Sequence, residues 1–432
     1  MDIYENTTIF IACPANYTSG GPELLHQLGS ELLRRGLDAR MWYYGIKDGR
    51  PPQEHVYRKY HVPFVISVDE DDDAPENILL IPESAPGLYG WTKSMRKIFW
   101  WMSVDNYFTP LGKTFLMRPK YLFQKAICDT VYLFAPDPQM EHWVQSEYAR
   151  QFVHMNRVPD TQVHFVGDYL QSAAHLQQMS AGGGLPPARQ DIVAYNPKKG
   201  LAFTQQLMAA ATDITWAPIE NMTPEEVHAL LTRAKVYIDF GNHPGQDRIP
   251  REAAAAGCCV ITDRRGAAAN DIDVPIPDIY KFDDVPQAIP AILSCIRSCL
   301  ADYEGHVRDF DGYRAMIAGQ KERFRRDVAA ALPIRYDVPV RQRVVLQDGP
   351  HLKTFLSALL PRKDIEVIGI WYEERGLAAV KVGTKSIPVL YFEELPFLYQ
   401  EGRFDAILLD SDTAAKDAER LQSAGLPENI LC

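Results

Sequence analysis

Residues 234–262, AKVYIDFGNHPGQDRIPREAAAAGCCVIT, do most to limit what this chain can fold into. An apolar strand, Val236 to Phe240, runs into a Gly/His/Pro/Asp loop. A short helix follows, from near Pro250 to Gly257, and then a second apolar strand, Cys258 to Thr262. Proline is favoured where a helix begins and glycine just past its end, so both boundaries are marked. Two strands joined through a helix belong to an α/β sheet. The amino end of this helix carries Arg248, Arg251 and Glu252. Unpaired backbone N–H groups and the positive end of the helix dipole favour an anion there, and guanidinium groups reinforce it. A carboxylate one turn in is no phosphate ligand, but it suits a ribose or sugar diol. The segment therefore reads as a sugar-nucleotide binder. The plainer reading stands beside it, because Glu in a first turn complements the dipole and Arg is common on solvated faces.

The alternation continues from end to end. Strand Thr8–Cys13, a loop and helix 22–35 open the chain, and Gly36 closes that helix. Further strands are expected at Asn77–Ile81, Lys97–Met102, Thr130–Ala135 and Gln162–Val166. Residues 171–190, with GGGLPP inside, read as a linker. A second series follows: strand Ile192–Tyr195, helix Leu201–Ala211, strand Ile214–Ile219, and helix Pro224–Ala234 with Thr223 and Glu226 as a capping box. A long polar helix is expected over 302–331. The tail repeats the habit on a smaller scale, but its first turn reads QDGPHLKTF, without the dinucleotide GxGxxG. The reading is an α/β chain: a Rossmann-like domain over 1–170, the linker 171–190, a second Rossmann-like domain over 191–332, and a small α/β domain over 333–432. The tail is expected to be accessory, docking a partner enzyme or supporting an oligomer, and the DSDT turn at Asp410–Thr413 suits a helix cap as well as a ligand.

Composition narrows the partners. A net charge of -11, with no basic stripe, argues against nucleic acid. The amino terminus, MDIYENTTIFIACP, has no basic region before its apolar run and does not read as a secretory signal. Seven cysteines without CxxC spacing read as reduced thiols, which points to the cytoplasm, with the inner face of the membrane left open.

Two more segments bear on ligand binding. YTSGGPELL places Gly20 and Gly21 between a strand and a helix, where backbone can approach a ligand closely; a tight connection explains it equally well. AYNPKKG places Lys198 and Lys199 at the carboxyl end of a strand, where open α/β sheets bind ligands, and suits a diphosphate approached by Arg248. The alternative is a solvated basic turn. The acidic run VDEDDDAPEN reads as a solvated loop, and no metal or cofactor is assigned. In WWMSVDNYF, Asp105 follows an apolar strand as a base candidate, with capping of its own turn the commoner role. The paired tryptophans read as core. His26 reads equally as a surface residue or a base candidate, whereas His243 shares its loop with Asp247 and Arg248 and is preferred.

These segments together resemble the glycosyltransferases of the GT-B fold, over roughly residues 7–330 and most strongly over 190–265. SGGPELLHQLGSELLRRG is similar to their acceptor-domain start, NPKKG to their donor-phosphate turn, and REAAAAG to their EAxAxG helix. The resemblance implies two domains facing across a cleft, with Gly20, Gly21, Lys198, Lys199, Arg248, Arg251 and Glu252 on the donor. Glu252 matches the ribose ligand. Retaining members carry another Glu eight positions earlier; here that position is Pro244, so His243, Asp247 or Asp105 is left for the catalytic work. The implied activity is metal-independent transfer from a nucleotide-sugar to a glycan or lipid-linked acceptor in cell-surface polysaccharide synthesis. A sugar-nucleotide epimerase of the same architecture and a non-catalytic sugar-nucleotide-binding protein remain as rivals. Contact with a membrane surface or a partner enzyme, and oligomerisation, also stay open.

Overall fold

The structure is a computed structural model and describes residues 1–47, 50–108, 131–171, 188–373, 375–382 and 385–432. The described chain divides into two compact units. One holds Met1, Ile81–Lys93 and Lys97–Pro333; the other holds Asp2–Leu80, Ser94–Arg96 and Ile334–Cys432. Most of the proposed linker lies outside the described residues.

The second of these units begins with β1 (Thr8–Pro14), α1 (Gly20–Arg34), β2 (Asp38–Tyr44), β3 (Phe64–Val65) and β4 (Ile78–Pro82). Their order is β3-β2-β1-β4, and β1 pairs in parallel with both β2 and β4. Leu24, Leu25, Leu28 and Leu32 form the buried stripe of α1. His26 corrects the surface reading. It is fully buried, stacked 4.4 Å from the Tyr57 ring, with Nε2 2.7 Å from the Tyr43 hydroxyl. The acidic run is a set of turns, in which Asp69 Oδ1 accepts from the Asp71 and Asp72 N–H groups and Asp73 Oδ1 from those of Ser94 and Met95.

The first unit carries β5 (Arg96–Trp101), β6 (Met140–Val144), α2 (Glu147–Met155) and β7 (Val163–Phe165), paired in parallel in the order β5-β6-β7. Two expectations fail here. Residues 131–135 form no strand, because Phe134 sits at φ +60°, outside the extended region, with its ring stacked on Trp101. The strand is instead β6, whose sequence MEHWV hides it: His142 interrupts the apolar run, yet it is buried between the Trp101 indole N–H and the Tyr132 hydroxyl.

The same unit continues with β8 (Gln190–Tyr195), α3 (Leu201–Ala210), β9 (Thr215–Pro218), α4 (Pro224–Arg233), β10 (Ala234–Asp239), α5 (Arg248–Ala255), β11 (Cys259–Asp263), β12 (Lys281–Phe282) and α6 (Ile289–Ala301). All five strands are parallel, ordered β9-β8-β10-β11-β12. Both arms of the α4 capping box form: Thr223 Oγ1 accepts from Glu226 N–H at 3.2 Å, and Glu226 Oε2 from Thr223 N–H at 2.7 Å. Such a cap is worth about 1 kcal/mol. α5 starts two residues before the expected Pro250, which sits in the third helical position and is tolerated because first-turn N–H groups lack intrahelical partners. Gly257, at φ +91°, ends the helix as expected. The long polar helix is broken into shorter pieces, including α7 (Asp311–Ala318) and α8 (Gln320–Ala331), with Gly319 between those two.

The tail, returning to the second unit, comprises β13 (Gln342–Gln347), α9 (Leu352–Leu359), β14 (Ile365–Tyr372), β15 (Ala379–Val382), β16 (Lys385–Tyr391), α10 (Leu395–Gln400), β17 (Ala406–Leu408) and α11 (Ala414–Ser423). Its sheet order is β15-β16-β14-β13-β17, parallel except for the edge hairpin β15–β16. The tail has cores of its own, yet it is also seated on residues 2–80. Phe397 meets the Tyr60 ring edge-on, Glu394 pairs with His61 at 3.1 Å, and Arg403 donates to the Tyr60 carbonyl at 2.7 Å. In the DSDT turn, Asp410 accepts from the N–H groups of His351 and Asp412 and lies 3.1 Å from His351 Nδ1, while Thr413 makes no side-chain cap.

Candidate donor site

The order β9-β8-β10-β11-β12 reverses direction between β8 and β10. Ligands of open α/β sheets bind beyond the carboxyl ends of the strands at such a switch point. Here the chain leaves β8 through Asn196–Gly200 and β10 through Phe240–Asp247, and both loops line one cavity of about 670 Å³. The loops touch. A Cβ on Gly200, which sits at φ +57°, would lie 1.8 Å from the Phe240 carbonyl oxygen; one on Gly241 would lie 2.4 Å from Lys199 Cβ. Only glycine lets the two loops approach this closely.

Gly200 is also the N-cap residue of α3, so the cavity adjoins a helix amino terminus with Lys198 and Lys199 immediately before it. Phe203 and Phe240, ring centroids 5.1 Å apart, supply an apolar wall, and Arg265 adds a third cation beside its partner Asp284. The arrangement suits a ligand with an anionic middle and a flat apolar end.

Asp105 also lines the cavity. It lies in the helical turn 104–108 and accepts from the Asn242 side-chain N–H. Burial raises its pKa; Asp247 adds to this and Lys199 works against it. The turn is fixed to the β10 loop by Val104 N–H donating to the Pro244 carbonyl at 2.9 Å, and by Gly245, whose missing side chain leaves room for the Met102 carbonyl.

Lys199 Nζ contacts Asp247 Oδ2 at 2.5 Å and donates to the Asn242 carbonyl at 3.1 Å. Asp247 Oδ2 is also 3.0 Å from His243 Nδ1. His243 does not line the cavity. It is 1% exposed, with Nε2 3.6 Å from Asp263 and 3.9 Å from Asp239, two further buried carboxylates. A residue so enclosed cannot reach an acceptor hydroxyl, which corrects its place as a base candidate. Burial pulls its pKa down, but Asp247, Asp239 and Asp263 outweigh that and leave it raised. Burial likewise pushes Asp263 up to about 7, against the lowering effect of His243.

Arg251 is a second correction. Its five N–H donors all have partners: two bonds to Asp168 at 2.7 and 2.8 Å, one to Gln320, and two to the carbonyls of Asp247 and Gln246. A guanidinium has five donors, so none remains for a phosphate. Arg248 and Glu252 are half-buried and paired with each other at 3.5 Å across one helical turn, outside the cavity lining. Gly20 and Gly21 lie in the other compact unit, in the first turn of α1, where Ser19 N–H donates to the Tyr57 hydroxyl at 3.0 Å. Asn242, Arg265 and Asp284 were not anticipated. For Arg265 the available signal was its place just past the apolar strand Cys258–Thr262.

Among the described residues, His351, Asp410 and Asp412 are the group close enough to share an ion, and no helix is long and apolar enough to cross a membrane.

No protein-family model and no curated protein matches the chain. It is similar in structure to HepE from Anabaena in complex with UDP, at 10% identity over 75% of this chain and 99% of that one, with a TM-score of 0.49. It is similar to sucrose-phosphate synthase from Thermosynechococcus elongatus, at 13% identity over 76% and 100%, with a TM-score of 0.48. It is also similar to WaaG, a glycosyltransferase involved in lipopolysaccharide biosynthesis, at 12% identity over 73% and 98%, with a TM-score of 0.44. None reaches a TM-score of 0.5, so the assignment of the cavity stands on the chain's own residues.

Proposed function

We propose that this protein is a glycosyltransferase that moves a sugar from a nucleoside diphosphate donor to a hydroxyl of a glycan or lipid-linked acceptor, in cell-surface polysaccharide synthesis. The observation that carries the reading is the pair Lys198–Lys199, set between the carboxyl end of β8 and the amino end of α3 at the reversal of the sheet. In the reaction the acceptor oxygen bonds to the anomeric carbon as the bond from that carbon to the diphosphate breaks. The acceptor proton goes to a base, and the nucleoside diphosphate leaves with the bonding pair. Lys199 and Lys198 meet the charge that grows on the leaving oxygen, helped by the α3 amino terminus. No step of this scheme draws on a metal ion. In this reading Asp105, which lines the cavity, takes the proton, a role worth ~10²–10⁴-fold in rate. In the same reading Glu252, paired with Arg248 outside the cavity lining, takes the ribose diol of a donor that extends past the cavity.

The test is incubation with UDP-glucose and other nucleotide-sugars, with and without a panel of glycan acceptors, followed by product analysis. Transfer to an acceptor, or slow release of sugar and nucleoside diphosphate without one, supports the proposal. An isomerised donor identifies an epimerase, and binding without turnover across the panel identifies a sensor.

A further inference from the structure

Outside the cavity lining lies a buried group that the transfer chemistry does not touch. Asp239 at the end of β10 and Asp263 at the end of β11 are 3% and 0% exposed, and His243 lies between them. Neither Asp239 Oδ1, Asp263 Oδ2 nor either ring nitrogen of His243 makes a hydrogen bond, so the approach of His243 Nδ1 to Asp247 is an ion-pair contact. The Tyr237 hydroxyl donates to the other oxygen of Asp239 at 2.8 Å, and Arg265 stands 4.0 Å from Asp263 while pairing with Asp284. Asp247 Oδ2 is shared: His243 Nδ1 lies 3.0 Å from it and Lys199 Nζ 2.5 Å from it, and Lys199 in turn lines the cavity. The charged groups facing His243 are therefore Asp239 from β10, Asp263 from β11 and Asp247 ahead of α5, with Lys199 ahead of α3 across the shared carboxylate.

We propose that His243 is a positioning residue that acts through Asp247. By pairing with the Asp247 carboxylate, it loosens that carboxylate's hold on Lys199, which contacts it at 2.5 Å, so that the ammonium can turn to a diphosphate in the cavity. A carboxylate shared by two cations binds each of them less tightly than it would bind one alone. With His243 protonated, Lys199 exchanges Asp247 for an incoming phosphate at little cost. With His243 neutral or replaced, Lys199 is the carboxylate's main cationic partner and the phosphate must compete for it. The three carboxylates around His243 raise its pKa against the lowering effect of burial, the direction that favours the protonated ring. The inference rests on the donor-site reading above.

Two readouts separate the failure of one from the failure of the other. The first needs no ligand: the rate at which Lys199 and Lys198 are reductively methylated, resolved by mass spectrometry. His243→Gln is expected to slow labelling at Lys199 several-fold, leaving Lys198 unchanged, because Asp247 now holds the Lys199 proton. Adding Asp247→Asn to that variant restores the rate, and Asp247→Asn alone exceeds the wild type. If His243→Gln does not fold, the inference is still exposed: unchanged Lys199 labelling in Asp247→Asn overturns it by showing that Asp247 does not restrain Lys199, and a wild-type affinity independent of pH removes the part played by His243. The second readout is the affinity for UDP-glucose between pH 6 and 9, a probe whose diphosphate diester does not ionise in that range. The wild type is expected to bind more weakly as pH rises through the His243 titration, His243→Gln to bind weakly at every pH, and the double variant to recover. Unchanged Lys199 labelling in folded His243→Gln or in Asp247→Asn overturns the inference. The expected labelling pattern without UDP-glucose binding leaves the coupling standing and counts against the donor-site reading. A wild-type affinity independent of pH, with UDP-glucose bound, overturns the protonation step.

Discussion

Replacing Arg251 with methionine separates a structural guanidinium from a ligand-binding one. The side chain is 1% exposed and holds Asp168 through two parallel bonds at 2.7 and 2.8 Å; Asp168 is itself 9% exposed. Methionine fills much of the volume but leaves the carboxylate buried without its cation. Breaking a buried pair in this way costs about 3–5 kcal/mol. For a unit the size of Lys97–Pro333, each kcal/mol lowers Tm by about 2–4 °C, so the expected drop is ~6–20 °C. Asp168→Leu alone is expected to destabilise comparably, because it leaves the cation unpaired. The double variant Arg251→Met/Asp168→Leu should be more stable than either single one, since exchanging a buried pair for apolar groups is often close to neutral. Differential scanning fluorimetry gives the three values. Nucleotide affinity, measured well below each Tm, is expected to stay near wild type. An unchanged Tm in Arg251→Met, coupled with loss of diphosphate binding, would refute the structural assignment.

Three further outcomes follow from the site and its surroundings. Glu252→Gln keeps the shape of the side chain but weakens its bonds to a diol, so donor affinity should fall by ~1.5–3 kcal/mol, about 10–150-fold, with little change in Tm; calorimetric titration showing equal affinity would remove Glu252 from the donor site. Gly200→Ala places a methyl group where the Phe240 carbonyl sits and forces a left-handed backbone on alanine, so both Tm and nucleotide affinity should fall; retention of both would show that the two loops are not in contact. Glu83 is buried at the end of β4, and burial pushes its pKa up to about 7 against the hydrogen bond from Met102 N–H. The folded state thus holds a proton that the unfolded chain releases near pH 4.5, and stability is lost as pH rises from there to about 7. Glu83→Gln should gain on the wild type across that window, by on the order of 3 kcal/mol, and hold a constant advantage above it; parallel pH profiles from urea unfolding would count against a buried neutral Glu83.

What the sequence disclosed was mainly local. The α4 cap, the end of α5 at Gly257 and the strands flanking it are written in neighbouring residues, and the structure has them with shifts of one or two positions. The position of Lys198 and Lys199 beside the cavity was legible because strand-to-helix turns in parallel sheets fall at the carboxyl edge. Arg251 was misread for the opposite reason. Its partner Asp168 lies 83 positions away, and only the tertiary fold makes that guanidinium structural. His243 was misread in the same way, since a histidine in a polar Gly/Pro loop gives no sign that Asp239 and Asp263 enclose it from two neighbouring strands. β6 was hidden by a histidine buried through hydrogen bonds rather than through apolar character. The tail's seat on residues 2–80 likewise depends on contacts such as Tyr60–Phe397 that no local pattern reveals.

The central claim, that the cavity between the β8 and β10 loops holds a donor diphosphate, is tested most directly by calorimetric titration of wild type and Lys199→Met. The ligands are UDP-glucose, UDP and uridine, or the corresponding set for whichever base the wild type prefers. A cation contributing a charge-assisted bond is worth about 1.5–3 kcal/mol. Lys199→Met should therefore lose ~10–150-fold in affinity for the two diphosphates while its affinity for the nucleoside stays unchanged. Equal losses for diphosphates and nucleoside, or undiminished diphosphate binding in a folded Lys199→Met, would contradict the account.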